Sequence, residues 1–164
     1  MVLKIVLQKP CPTEVLHQAI MQCLHNTTST TKPLKAKKRL KGISILVAED
    51  NNINQLVINK ILASEGALVT IANNGEETLE IITQSNDIKI ILMDIHMPKM
   101  DGVKATKMIR ANKDNQIAQL PIVALTANVI ENDVESYLSA GMNAHESKPI
   151  DKESLVKTIM SLVS

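Results

Sequence analysis

Four places in the chain set reactive side chains at the ends of short strand-like runs, three of them apolar. Ile45-Leu46-Val47-Ala48 leads into the acidic pair Glu49-Asp50. A second run ends in Met93-Asp94, followed by Ile95-His96-Met97-Pro98-Lys99-Met100-Asp101-Gly102. Ile122-Val123-Ala124-Leu125 ends at Thr126-Ala127, and Ala144-His145-Glu146-Ser147 ends at Lys148-Pro149. If each run is a strand of an open parallel sheet, its carboxyl end opens into the crevice where such sheets bind ligands. Three carboxylates (Glu49, Asp50, Asp94), the Thr126 hydroxyl and the Lys148 ammonium would then meet there. That set suits a divalent cation and a phosphoryl group.

The intervening segments must position them. Strand patterns cover Ser44–Ala48, Leu68–Ala72, Ile88–Met93, Ile122–Thr126 and Ala144–Ser147. They alternate with helical patterns over Ile53–Glu65, Glu76–Gln84, Val103–Ala111, Glu131–Ala140 and Lys152–Val163, the signature of βαβ units. On the first helix the apolar spacing picks out Ile53, Val57 and Ile61; on the last, Leu155, Ile159 and Leu162. Asn74-Gly75 and Gly141 supply turn and cap positions. Right-handed crossovers then predict a doubly wound α/β fold, a five-stranded parallel sheet in order 2-1-3-4-5 with helices on both faces.

The chain from about Gly42 to Ser164 resembles the receiver domain of two-component signalling, in the variety found at the C-terminus of hybrid sensor histidine kinases. The matching residues are Glu49-Asp50-Asn51, Leu92-Met93-Asp94, Met97-Pro98-Lys99-Met100-Asp101-Gly102, Ala124-Leu125-Thr126-Ala127 and Ser147-Lys148-Pro149. Asn54-Gln55 and Gly141-Met142 also match the hybrid-kinase variety. The resemblance implies a flavodoxin-like fold and a phosphorelay function: Asp94 takes a phosphoryl group from a phosphohistidine on a histidine kinase or histidine phosphotransfer domain. A strand-end carboxylate can act as such a nucleophile, and Mg²⁺, which takes few protein ligands and keeps waters, fits the acidic cluster. By resemblance Asp50, Asp94 and the backbone carbonyl of His96 bind the metal, with Glu49 acting through water. Thr126, Ala127 and Lys148 hold phosphoryl oxygens, the Ile95 N–H adds a donor, and Pro149 is often cis. Thr126 and His145 form the switch. His145 stands where the family usually carries Tyr or Phe, and His96 and Asn128 occupy the variable flanking positions.

Other classes fit less well. A haloacid-dehalogenase-like phosphatase also uses a strand-end Asp and Mg²⁺, but wants a second Asp two residues on, where His96 stands. A degenerate binding module predicts loss of Asp50, Asp94, Thr126 or Lys148, and all four are present. The spacing of His96 and His145 matches no zinc pattern. A stand-alone single-domain response regulator is the alternative to a hybrid-kinase fragment, and a DNA-binding regulator is disfavoured because no output domain follows the receiver pattern.

A net charge of +1 gives no case for nucleic acid, and no apolar run approaches the length of a membrane span. A cytoplasmic location is expected. With no Trp, no Phe and a single Tyr137, the core must be aliphatic, with eight Met available as adaptable filler. Cys11 and Cys23, twelve residues apart, would lie about 18 Å apart along a helix. That exceeds disulfide reach, so both read as thiols.

Residues 1–25 repeat the end of the main unit. With Lys9-Pro10 on Lys148-Pro149, Glu14, Leu16, Ile20 and Met21 fall on Glu153, Leu155, Ile159 and Met160 without a gap. Lys4-Ile5-Val6-Leu7 stands for the preceding strand. This reads as the last strand and helix of a preceding receiver-like domain, and since a domain cannot begin at its fifth strand, Met1 would not be its natural start. Residues 26–41, Thr/Ser-rich and then carrying five Lys or Arg from Leu34 to Lys41, read as a solvated linker. The apolar stripe Leu16, Ile20, Leu24 needs cover, which makes a homodimer through this helix an expectation.

Overall fold

The computed structural model describes residues 38–127 and 131–164. The strand and helix expected in residues 1–25 with their expected dimer contact, Cys11, Cys23, most of the expected linker and Asn128 lie outside the described residues. Five parallel strands form one sheet in the expected order: β1 (Ser44–Ala48), β2 (Leu68–Ala72), β3 (Ile90–Asp94), β4 (Ile122–Thr126) and β5 (Ala144–Ser147), arranged 2-1-3-4-5. The central strands are apolar between their ends because both faces are covered. Successive side chains point to opposite faces. Leu46, Ala48, Ile91, Met93, Ile122 and Ala124 therefore enter one core, while Ile45, Val47, Ile90, Leu92, Val123 and Leu125 enter the other.

The helices are α1 (Asn52–Ser64), α2 (Gly75–Gln84), α3 (Gly102–Arg110), a short α4 (Asn115–Ala118), α5 (Glu131–Ser139) and α6 (Lys152–Val163). Ile82, Ala105, Ile109 and Tyr137 close the first core from α2, α3 and α5; Ile58, Leu62, Leu155, Val156 and Ile159 close the second from α1 and α6. Asn51, Asn74, Asp101 and Asp151 cap their helices, each side-chain oxygen accepting backbone N–H bonds of the first turn. Such a cap contributes about 1 kcal/mol. It also fixes where the chain turns after each strand. The four residues of α4 are too few for a periodic signal, and no helix was expected there.

The α1 packing corrects the expected stripe. Ile53 and Val57 are exposed, at 72% and 46%, and the side chains in the core are Ile58 and Leu62, with Ile61 only partly covered. Steps of four back from Leu62 reach Ile58 and then Asn54. The sheet-facing stripe therefore starts with a polar residue, and the helix is rotated so that Asn54 faces the strand ends.

The expected linker boundary at residue 41 passes through a packed segment. Leu40 is fully buried in the second core, and its N–H donates to the Glu65 carbonyl at 3.0 Å. Arg39 is paired rather than solvated. Its guanidinium reaches Glu65 at 3.0 Å and Glu153 at 2.7 Å, while Lys152 reaches Glu65 at 2.8 Å. Hydrogen bonds from Arg39 and Lys152 lower the Glu65 pKa from the ordinary 4.5 to about 2. A carboxyl depressed in the fold adds stability above its unfolded pKa and loses it as pH falls through the folded value. The contribution of Glu65 should thus be whole above about pH 4.5 and fade toward pH 2. Glu65→Gln should lower the neutral-pH melting temperature, with the gap to the parent closing across that window in thermal melts. A gap independent of pH would remove the ion cluster from the account.

Candidate functional site at the carboxyl ends of the strands

The strand order places β1, β3, β4 and β5 side by side, so their carboxyl ends deliver the predicted residues to one rim. Glu49 and Asp50 follow β1, Asp94 and Thr126 end β3 and β4, and Lys148 follows β5. The Lys148 ammonium bridges two of the carboxylates, 2.6 Å from Glu49 Oε2 and 2.7 Å from Asp94 Oδ2. Glu49 is wholly buried, Asp94 nearly so, and Asp50 exposed. One carboxylate oxygen from each of the three lies within 4.8 Å of the others.

Three carboxylates against one ammonium leave the cluster net negative. Burial pushes the Asp94 carboxyl above its ordinary range, outweighing the downward pull of Lys148, and the Glu49 charge adds to the rise. Burial works against the Lys148 charge as well, but the hydrogen bonds it donates to Asp94 and Glu49 together outweigh that and hold its pKa above the ordinary value. The convergent hard oxygens and residual negative charge fit a small divalent cation.

The other predicted residues lie on or beside β3, β4 and β5, and one of them is committed to a different partner. His96 has an exposed ring, and its N–H donates to Asp94 Oδ1 at 3.2 Å. Thr126 is fully buried, its carbonyl accepts the Lys148 N–H at 2.7 Å, and Ala127 beyond it is exposed. The Lys148–Pro149 bond is cis. The Ile95 N–H, expected as a phosphoryl donor, instead donates to the Leu125 carbonyl at 3.3 Å, continuing the ladder past β3. His145 is half-buried. Its neighbour Glu146 turns the opposite way and accepts hydroxyl bonds from Ser154 and Thr158.

Local backbone chemistry holds the Asp94 loop. Asp101 caps α3 by accepting the Lys104 N–H at 2.7 Å. Gly102 does more than complete a turn dipeptide. A Cβ there would lie 2.1 Å from the Asp94 carbonyl oxygen, so only glycine permits the loop to close against the acid. Lys99 supplies the positive φ of 64° that reverses the chain.

Two residues that the sequence marked only by resemblance have a place in this geometry. Asn54 donates through Nδ2 to Glu49 Oε1 at 2.9 Å. Gln55 donates through Nε2 to the Glu49 carbonyl at 2.6 Å and to Asn73 Oδ1 at 2.9 Å. The available signal was Asn54 itself, a polar residue in line with Ile58 and Leu62.

The chain is similar to known proteins in sequence and in fold. The family model for the response regulator receiver domain matches residues 45–160. Histidine kinase 1 of Arabidopsis thaliana is 37% identical over 160 residues, covering 78% of this chain and 13% of the kinase. The osmosensing histidine protein kinase SLN1 of Saccharomyces cerevisiae is 39% identical over 129 residues, covering 76% of this chain and 10% of the kinase. The chain thus spans about an eighth or less of these relatives. Among solved structures, the receiver domain of the sensor histidine kinase PA1611 from Pseudomonas aeruginosa, with a magnesium ion in its active-site cleft, aligns with a TM-score of 0.68 at 37% identity. That alignment covers 74% of this chain and 98% of that one. The receiver domain of yeast Ssk1, solved with the histidine phosphotransfer protein Ypd1, is matched by a structure with a TM-score of 0.68 and 30% identity, over 76% of this chain and 90% of that one. With the strand order, the acidic rim and a family match over most of its length in agreement, the chain belongs to the response regulator receiver domain family.

Proposed function

We propose that Asp94 accepts a phosphoryl group from a phosphohistidine on a histidine kinase or phosphotransfer protein, as one step of a phosphorelay. The observation that carries this is the Asp94 carboxylate at the end of a central strand, 2.7 Å from Lys148 and beside the oxygens of Glu49 and Asp50. An Asp94 oxygen forms the new P–O bond as the P–N bond breaks, and imidazole leaves. Positioning and charge neutralisation supply the catalysis. Asp50, Asp94 and the backbone carbonyl of His96 would hold Mg²⁺, with Glu49 beside them, and the cation would supply charge neutralisation for the transferring group. Lys148 moves from the carboxylates to a phosphoryl oxygen, and Thr126 and the Ala127 N–H take others. Thr126 with His145 then relays the change to the surface. Similarity to histidine kinases, one of them named a hybrid signal transduction kinase, supports an origin in a hybrid kinase; a place in its C-terminal part and in the cytoplasm belongs to the same proposal. On this reading residues 1–25 derive from a preceding receiver-like domain and the segment from residue 26 up to the packed Arg39-Leu40 pair is linker, with homodimer formation through residues 1–25 part of the proposal.

The α1 surface supports a protein donor. Ile53, Leu56 and Val57 are exposed, and a shallow cavity of about 130 Å³ lined by Asn54, Val57, Ile58, Lys148, Pro149 and Ile150 lies beside them. An apolar patch rimming a polar site marks a docking surface. Val57→Asp should slow transfer from a phosphorylated phosphotransfer protein by about tenfold or more, the cost of a charge at an apolar contact. Phosphorylation by phosphoramidate should stay within about twofold, since a small donor needs no docking. Equal slowing with both donors would place the effect in the site, not the surface. The reading as a whole is tested by intact mass after incubation with Mg²⁺ and phosphoramidate: one added phosphoryl group, removed by hydroxylamine, is expected, and no uptake overturns it.

A further inference from the structure

Glu49 is a buried carboxylate whose two oxygens have different keepers. Oε2 accepts from the Lys148 ammonium at 2.6 Å. Oε1 accepts from Asn54 Nδ2 at 2.9 Å and from the Asn51 N–H at a longer 3.3 Å. The chain builds this second contact with care. The Asn51 side chain caps α1 through the Ile53 and Asn54 N–H groups, and Gln55 ties the same turn to the Glu49 backbone carbonyl. With the helix so fixed, Asn54 leads the stripe that continues as Ile58 and Leu62, and Ile53 and Val57 are turned to solvent as the consequence.

We infer that Asn54 is a positioning residue for the metal site: it holds Glu49 Oε1 so that Oε2 faces the acidic cluster when Lys148 leaves it. The inference rests on the proposed function, in which Lys148 leaves Glu49 for a phosphoryl oxygen. At that point Glu49 Oε2 loses the ammonium, and a buried carboxylate left with poor hydrogen bonding would turn away from the cluster. Asn54 prevents this with a neutral donor. A Lys or Arg at the same place would hold the oxygen equally well but would cancel charge that attracts the cation. Asparagine gives the hydrogen bond and leaves the cluster net negative.

Asn54→Ala and Asn54→Leu both remove the donor, the first with the best helix former and the second with similar volume. Mg²⁺ binding is read by calorimetry on the full chain with no phosphodonor, and phosphorylation by phosphoramidate is read across a Mg²⁺ titration. The dissociation constant for Mg²⁺ should rise about tenfold in both variants, the worth of one hydrogen bond to a charged group. The maximal rate at saturating Mg²⁺ should stay within about twofold of the parent, a split that a general loss of structure would not give. Unchanged Mg²⁺ affinity in the variants overturns the inference, whatever happens to their melting temperatures, and so does a fall in maximal rate alone. A parent chain that binds Mg²⁺ but takes up no phosphoryl group overturns the phosphorelay reading instead, and the Asn54 comparison still decides the inference.

Discussion

Asp94→Asn should abolish phosphoryl uptake from every donor. The side chain keeps its shape and one oxygen for the Lys148 ammonium, now 2.7 Å from Asp94 Oδ2. It loses the anionic nucleophile on which acyl-phosphate formation depends. No detectable mass increase is expected under conditions that phosphorylate the parent to completion, with no hydroxylamine-sensitive product. The fold should hardly notice. The variant gives up an ion pair, but it also gives up a buried charge whose pKa burial and Glu49 already push upward, so the two changes offset within about 1 kcal/mol. Near-parental melting together with lost uptake identifies the acceptor, whereas undiminished uptake would transfer that role to exposed Asp50 or to Glu49.

The parts of this site legible in the sequence are those that one strand end delivers by itself. Glu49-Asp50, Asp94 and Thr126 each follow or end an apolar run, Lys148 follows the short Ala144–Ser147 strand before a proline, and the alternation of strands with helices fixes that these runs are parallel and end on one rim. Relations between distant segments were not legible. Lys148 divides its hydrogen bonds between Glu49, 99 residues away, and Asp94, 54 residues away, and no local pattern specifies that bridge. Arg39 and Leu40 look like the end of a basic linker because a Lys/Arg-rich run has no period. Only the fold shows Glu65 and Glu153 converging on the guanidinium. The α1 stripe misled for a physical reason: counting apolar residues selects Ile53 and Val57, while helix rotation is set by polar anchors, Asn51 in the cap and Asn54 and Gln55 on Glu49. Ile95 shows the same limit at the backbone, since its N–H is taken by the Leu125 carbonyl once β3 and β4 pair.

Lys148→Met should move stability and metal affinity in opposite directions. Methionine keeps the length of the side chain and removes the charge, leaving Glu49 and Asp94, 1% and 8% exposed, as neighbouring anions without a cation. Removing one member of a buried ion pair costs about 3 kcal/mol because the remaining charge is uncompensated. The metal-free variant should therefore melt roughly 10 °C below the parent. Because the Asp94 carboxyl is already raised by burial, its protonation favours the fold, so this penalty should shrink as pH falls through the Asp94 pKa. Mg²⁺ should bind the variant more tightly, since it no longer competes with an ammonium 2.6–2.7 Å from two of the carboxylates. Added Mg²⁺ then narrows the gap in melting temperature by mass action. Thermal melts with and without Mg²⁺, beside calorimetry on both proteins, read all of these signs. Equal metal-free melting of the two proteins, or weaker Mg²⁺ binding by the variant, would mean that Lys148 does not hold these carboxylates in place of a metal.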